Sequence, residues 1–135
     1  ITIAACIIAG TGMHIAYAAT NLIQNGSLES TNSAGLPTGW KKGGYGTNAR
    51  SLTYPVTGNG GGKAAKTTIT GYTSGDAKWY FDPVALASGT YTYAEDYAAD
   101  IVSYVTVQFE MNNGSFAWKD IATLQPSSSF KSFTA

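Results

Sequence analysis

The chain has 135 residues, room for one domain of ordinary size rather than two, and its eight Lys and Arg balance eight Asp and Glu. Charged residues are only 12% of the total and the cations are scattered singly apart from Lys41-Lys42, so no basic stripe exists to hold a phosphate backbone and nucleic acid is not an expected partner. A single cysteine, Cys6, rules out a disulfide framework, while nine Tyr and sixteen Gly supply neutral stacking and hydrogen-bonding groups joined by turns.

Residues 1–18 (ITIAACIIAGTGMHIAYA) contain no Asp, Glu, Lys or Arg, and residues 1–9 have the length of a signal-peptide apolar region. The stretch ends in Ala16-Tyr17-Ala18, the small-x-small pattern that a signal peptidase pocket accepts, which predicts cleavage after Ala18 and a secreted or cell-surface product with no membrane attachment. A retained membrane anchor is the rival reading, and Gly10-Thr11-Gly12 and His14 speak against it. Ile3-Ala4-Ala5-Cys6 has the form of a lipoprotein box, but an apolar tract follows Cys6 where a polar tether would begin. No basic segment precedes Ile1, and a new strand pattern begins over residues 130–135, so the expectation is of a piece cut at both ends.

In the remainder, residues 19–135, no stretch of ten or more residues repeats apolar positions at three and four, which excludes an amphipathic helix. Short runs rich in Val, Ile, Thr and Tyr alternate with turn clusters such as Asn25-Gly26, Gly43-Gly44, Ser74-Gly75-Asp76 and Ser88-Gly89, the spacing of a single all-β sandwich or jelly roll. The glycines of residues 58–62 lack the Gly-Lys-Ser/Thr ending of a phosphate loop and read as a hairpin or sandwich loop. Residues 77–82 alternate Trp79 and Phe81 against Lys78, Tyr80 and Asp82, and residues 90–93 alternate Tyr91 and Tyr93 with Thr90 and Thr92; in both, the larger aromatics are expected to point inward.

Residues 101–111 and 116–124 read as a hairpin around Asn113-Gly114, with a two-residue turn pairing Met111 with Phe116, Phe109 with Trp118 and Val107 with Asp120. Alternation then gives a core face of Val105, Val107, Phe109, Met111, Phe116 and Trp118, and a solvent face of Tyr104, Thr106, Gln108, Glu110, Ala117 and Lys119. A three-residue loop would shift the register and exchange the faces.

Asn21-Leu22-Ile23-Gln24-Asn25-Gly26-Ser27-Leu28-Glu29, followed by Leu36-Pro37-Thr38-Gly39-Trp40, resembles the opening of carbohydrate-binding modules of the family 4/9 type. Gly75-Asp76-Ala77-Lys78-Trp79-Tyr80-Phe81, then Ser88-Gly89-Thr90-Tyr91-Thr92-Tyr93, then residues 104–110 are similar to the middle of the same modules. The resemblance implies an opening strand at residues 21–29 and a galactose-binding-like jelly roll whose last strands are missing here. It implies a monomeric, non-catalytic module targeting a glycan-active enzyme, such as a glycoside hydrolase or polysaccharide deacetylase, encoded downstream. Many relatives hold a structural calcium ion in the complete domain. Of its likely ligands only Glu29 is present, and because calcium takes six to eight oxygens, weak or no binding is expected.

Catalytic chemistry finds little support in the inventory. Glycoside hydrolysis needs two carboxylates about 5–10 Å apart, whereas Glu95 and Asp96 are adjacent and Glu110 reads as a cross-strand ion pair with Lys119. The sole histidine, His14, lies in the predicted leader, which removes a Ser-His-Asp triad or a zinc site from the rest. Asn25-Gly26-Ser27 and Asn113-Gly114-Ser115 match a glycosylation sequon but read more simply as turns.

Sugars present apolar C–H faces ringed by hydroxyls, so a site for them pairs flat aromatics with amide, carboxylate and hydroxyl groups. The predicted solvent face offers Tyr104, Thr106, Gln108, Glu110 and Lys119; Tyr80 and Lys78 join if their strand lies in the same sheet, and Tyr97 and Asp96 form a rim in a turn region at residues 95–100. Trp40 either packs or lines the loop end. Two other classes remain open: a structural or adhesive surface domain that binds no sugar, and a catalytic domain whose active residues lie elsewhere in a longer chain.

Overall fold

A computed structural model of the chain describes residues 20–135. The predicted leader with Cys6 and His14, and its cleavage after Ala18, lie outside the described residues. The described chain is all-β: β1 (Trp40–Tyr45), β2 (Asn48–Thr57), β3 (Lys63–Tyr72), β4 (Asp76–Phe81), β5 (Ala94–Ala99), β6 (Ser103–Glu110), β7 (Phe116–Leu124) and β8 (Ser127–Thr134), with one 3-10 turn at Asn59–Gly61. They form four antiparallel pairs, β1–β4, β2–β3, β5–β8 and β6–β7. The residues fall into two compact units that part between Ser88 and Gly89.

In the first unit, β2 and β3 form a hairpin closed by the glycine loop, with the Gly58 N–H donating to the Gly62 carbonyl at 2.6 Å. The glycine loop is thus a hairpin loop, as its sequence suggests. The β1–β4 pair packs on this hairpin through β4, where Trp79 and Phe81 turn inward and Lys78 and Tyr80 outward, as their alternation predicts. The Trp79 indole donates to the Lys66 carbonyl at 3.1 Å and meets the Tyr54 ring edge-on at 6.4 Å between centroids. Asn48 and Arg50 of β2 reach the far end of the other pair: the Asn48 amide donates to the Tyr45 and Ser74 carbonyls at 3.0 and 2.9 Å, and the Arg50 guanidinium to the Tyr45 and Gly44 carbonyls at 3.3 and 3.4 Å. Side-chain donors thus reach the backbone carbonyls at the end of the β1–β4 pair.

The opening motif does not form a strand. Residues 24–27 are a turn in which Asn25 takes a left-handed φ of 53°, its side chain accepts from Ser30 N–H at 2.9 Å, and its amide donates to the Ser30 and Thr38 carbonyls at 2.9 and 3.1 Å. Asn tolerates that backbone conformation and hydrogen-bonds locally, so the Asn-Gly pair wins over the strand propensity of Leu22 and Ile23.

In the second unit, residues 90–93 precede a strand instead of forming one: Tyr91 is exposed, and β5 starts at Ala94 in the place expected to be a turn region. Backbone bonds between Tyr93 and Ala135 extend the β5–β8 ladder, and the Tyr97 hydroxyl donates to the Gln125 carbonyl at 3.1 Å.

The hairpin of β6 and β7 exists as expected but in the other register. Glu110 pairs with Phe116, Gln108 with Trp118, Val107 with Lys119 and Thr106 with Asp120. The turn runs Met111-Asn112-Asn113-Gly114-Ser115: Gly114 N–H donates to the Met111 carbonyl at 2.8 Å, Met111 N–H to the Ser115 carbonyl at 2.9 Å, and Gly114 alone of the loop has positive φ, 79°. This is a three-residue loop, a type I turn followed by a glycine bulge. A two-residue type I′ turn needs positive φ at Asn113 as well; here the Asn113 side chain instead accepts from the Ser115 N–H and hydroxyl at 3.0 and 2.7 Å. The expected faces are therefore exchanged on β7; on β6 the alternation holds for Val105 and Val107, which are half-buried, while Phe109 and Met111, expected in the core, are 44% and 51% exposed near the turn of the hairpin.

Side-chain burial is thin throughout, because two-stranded sheets cover each other only in part. Among the described residues Leu124, at the end of β7, is the buried strand apolar residue, and Pro37 is the largest side chain fully enclosed.

Candidate functional site

Period-two alternation puts Tyr104, Thr106, Gln108 and Glu110 of β6 on one face, and the observed register puts Phe116, Trp118 and Asp120 of β7 beside them. The rungs follow one another about 7 Å apart. Tyr104 comes first, then Thr106 with Asp120, Gln108 with Trp118, and Glu110 with Phe116. Tyr104 and Trp118 are each 63% exposed, and the Phe116 and Trp118 rings lie 6.0 Å apart at a 42° tilt, a continuous apolar surface at one end of the face. The Thr106 hydroxyl donates to Asp120 Oδ1 at 2.6 Å, which fixes that carboxylate on the rung between the two aromatic ends. Gln108 and Glu110 are exposed and present amide and carboxylate groups beside the rings. A one-residue bulge between the Val105 and Thr106 rungs increases the local twist before Tyr104.

Three corrections follow from the register. Trp118, expected in the core against Phe109, is on the exposed face opposite Gln108, and Phe116 moves with it. Lys119, expected beside Gln108, stands opposite Val107 on the other face. The ion pair expected between Glu110 and Lys119 is consequently not formed, since the two side chains leave the sheet on opposite sides.

Tyr80 and Lys78 do not join this face, because β4 pairs with β1 and not with β6. They sit on a second exposed face with Lys41, Gly43 and Tyr45. There the Tyr80 ring lies over Gly43, where any Cβ would come within 2.8 Å of it, and Tyr45 is 66% exposed with the Lys78 ammonium 5.6 Å from its ring centre. Lys41 pairs with Asp82 at 2.5 Å and Lys78 with Asp76 at 2.6 Å. The hydrogen bond and charge of Asp82 hold the Lys41 amine above its usual range.

The other candidates carry structural roles. Trp40 packs edge-on against Phe81 with 5.4 Å between centroids and donates its indole N–H to the Asn25 carbonyl at 3.2 Å, tying the opening turn to β1. Tyr97 is half-buried on β5 with its hydroxyl engaged, and Asp96 beside it accepts from the Ser132 hydroxyl at 2.6 Å. The Glu29 carboxylate accepts from Lys63 N–H at 2.7 Å while the Lys63 ammonium donates to the Glu29 carbonyl at 2.8 Å. Among the described residues no three His, Cys, Asp or Glu side chains gather as a metal site. Glu95, at the foot of β5, accepts from the Tyr93 hydroxyl at 2.8 Å; burial raises its carboxyl above the usual carboxylate range, with that hydrogen bond opposing, and burial beside Glu95 also pushes the Tyr93 phenol upward.

Reading the sequence alone missed Phe116, Trp118 and Asp120 on the hairpin face and Tyr45 on the other. The signal for the first three was present in Asn112-Asn113-Gly114, which fits a three-residue loop with glycine last as well as a two-residue Asn-Gly turn. Comparison of the chain with known protein families, with curated proteins and with solved structures finds no match in any of the three.

Proposed function

We propose that the chain is a non-catalytic glycan-binding module, secreted and of jelly-roll type, in which the β6–β7 face holds the sugar chain and through which an attached glycan-active enzyme is targeted. The observation that carries the reading is the alignment on one exposed face of Tyr104, Trp118 and Phe116 with Thr106, Gln108, Glu110 and Asp120. Aromatic rings of this kind cover the C–H faces of sugars while neighbouring amides, hydroxyls and carboxylates take their hydroxyls. The resemblance of the Asn21 to Glu29 and Leu36 to Trp40 motifs to family 4/9 modules points the same way.

Binding without turnover agrees with the placement of the acids. Glu110 and Asp120, the two carboxylates on the face, stand two rungs apart, about 14 Å along the strands, beyond the about 5–10 Å that glycoside hydrolysis requires.

The test is retention on insoluble glycans of the wild type against Tyr104→Ala and Trp118→Ala. Both side chains are exposed, so both variants keep the fold, and each is expected to lose retention. Unchanged retention in both removes the face as the site, and a wild type that no glycan retains leaves a structural or adhesive domain as the reading.

A further inference from the structure

The charges of the chain are balanced overall but not locally. Up to Ser88 there are six Lys and Arg against three Asp and Glu; from Gly89 onward there are two against five. The hairpin face concentrates this asymmetry. It carries Glu110 and Asp120 and no cation, because the register sends Lys119 to the opposite side. Asp120 is held by the Thr106 hydroxyl, whereas Glu110 is exposed at the end of the face beside Phe116 and one rung from Trp118. The β1–β4 face differs in kind: its two lysines are each paired with a nearby carboxylate, Lys41 with Asp82 just after β4 and Lys78 with Asp76 within it.

An uncompensated carboxylate next to exposed aromatic rings is complementary to a cation bound to a flat apolar body: the carboxylate attracts the charge, the ring faces attract both the ammonium and the C–H surface around it. The same face repels a carboxylated or sulfated chain through two like charges.

We propose that the β6–β7 face selects amine-bearing glycans, chains of amino sugars with free ammonium groups, over acidic ones, with Glu110 as the charge-reading residue and Trp118 as its stacking platform. This rests on the reading of the face as a sugar site. A lysine-rich peptide would satisfy the charge but offers no flat ring of C–H groups to Trp118, Phe116 and Tyr104, which is why the observations favour a glycan.

The experiment uses the full 135-residue chain on beads of chitosan, cellulose and cross-linked polygalacturonate, at weakly acidic pH in low and high salt. Retention is expected in the order chitosan, cellulose, polygalacturonate, with the first preference shrinking as salt rises. Glu110→Gln lowers chitosan retention about two- to fivefold, the span of an exposed charge pair, and leaves cellulose unchanged. Trp118→Ala lowers both by about fivefold. Lys119→Gln, on the opposite face, changes neither.

Equal retention on polygalacturonate and chitosan overturns the charge selectivity and leaves sugar binding standing, whereas retention on no glycan overturns both. Chitosan retention that survives Glu110→Gln and Trp118→Ala, or that Lys119→Gln alters as much as Glu110→Gln does, reports diffuse ion exchange and also overturns the proposal. A lysine-rich peptide that displaces the chain more effectively than glucosamine oligomers overturns the assigned occupant.

Discussion

The two units use the same materials, antiparallel pairs with aromatics on alternate positions, and put them to opposite ends. In the first, a tryptophan on β4 points between two strand pairs, its indole bonded to the Lys66 carbonyl and its face met by Tyr54. In the second, a tryptophan on β7 stands on an open face with most of its surface in solvent. The difference originates in what closes each pair. β1 and β4 are distant in sequence and are held in place by Asn48 and Arg50 from a neighbouring strand, whereas β6 and β7 are closed by their own five-residue turn and owe their register to it. A tertiary scaffold turns one tryptophan inward; a local turn leaves the other on an exposed face.

The largest effect that tests this contrast is removal of each tryptophan in turn. Trp79→Ala forfeits the inter-pair packing and leaves the Lys66 carbonyl without its donor, an expected loss of about 3 kcal/mol in denaturant unfolding. Trp118→Ala, deleting an exposed ring, is expected to stay within about 0.5 kcal/mol of wild type while lowering retention on glycans about fivefold. Comparable losses from both would mean that Trp118 is packed and that the register of β6 and β7 is the other one.

Glycines sharpen the same comparison at smaller cost. Gly75 and Gly114 both have positive φ, 91° and 79°, so alanine at either is strained by about 1–2 kcal/mol. Their surroundings differ: a Cβ at Gly75 would collide with the Tyr45 carbonyl oxygen, whereas one at Gly114 meets nothing within 4 Å. Gly75→Ala must therefore push β4 away from β1 and is expected to cost about 3 kcal/mol or more once overpacking is added. Gly114→Ala stays near the strain alone. Equal melting curves for the two variants would contradict the close approach of residues 45 and 75.

Much of this architecture is legible in the residues. The absence of helix periodicity, the alternation of Trp79 and Phe81 with Lys78 and Tyr80, and the hairpin over β6 and β7 are all read correctly from local pattern, because strand alternation and turn composition are local properties. The site is legible by halves. β6 supplies Tyr104, Gln108 and Glu110 under any turn length, but which face of β7 joins them depends on a single residue in the loop, and a slip of one exchanges Trp118 with Lys119. Pairings between distant segments are legible least. Nothing near Tyr80 shows that its strand pairs with residues 40–45 rather than with β6, and nothing in Asn21-Leu22-Ile23 shows that the Asn25 amide will bind the Thr38 carbonyl and fold the segment into a turn.

The smallest expected effect concerns acid dependence in the second unit, where Glu95 is half-buried and bonded to the Tyr93 hydroxyl. Burial raises the Glu95 carboxyl in the folded state, so the folded chain holds that proton more tightly than the unfolded chain does. The contribution to stability is fully present below the ordinary carboxylate value of 4.5 and is lost as pH rises through the raised folded value. Unfolding of the β5–β8 pair, followed by amide exchange at Tyr93 and Ala135, is thus expected to grow easier on going from acid toward neutral pH. Glu95→Gln, which stays neutral and still accepts from the Tyr93 hydroxyl, removes this dependence and protects those amides at neutral pH. A slope that persists in Glu95→Gln would overturn its assignment to Glu95.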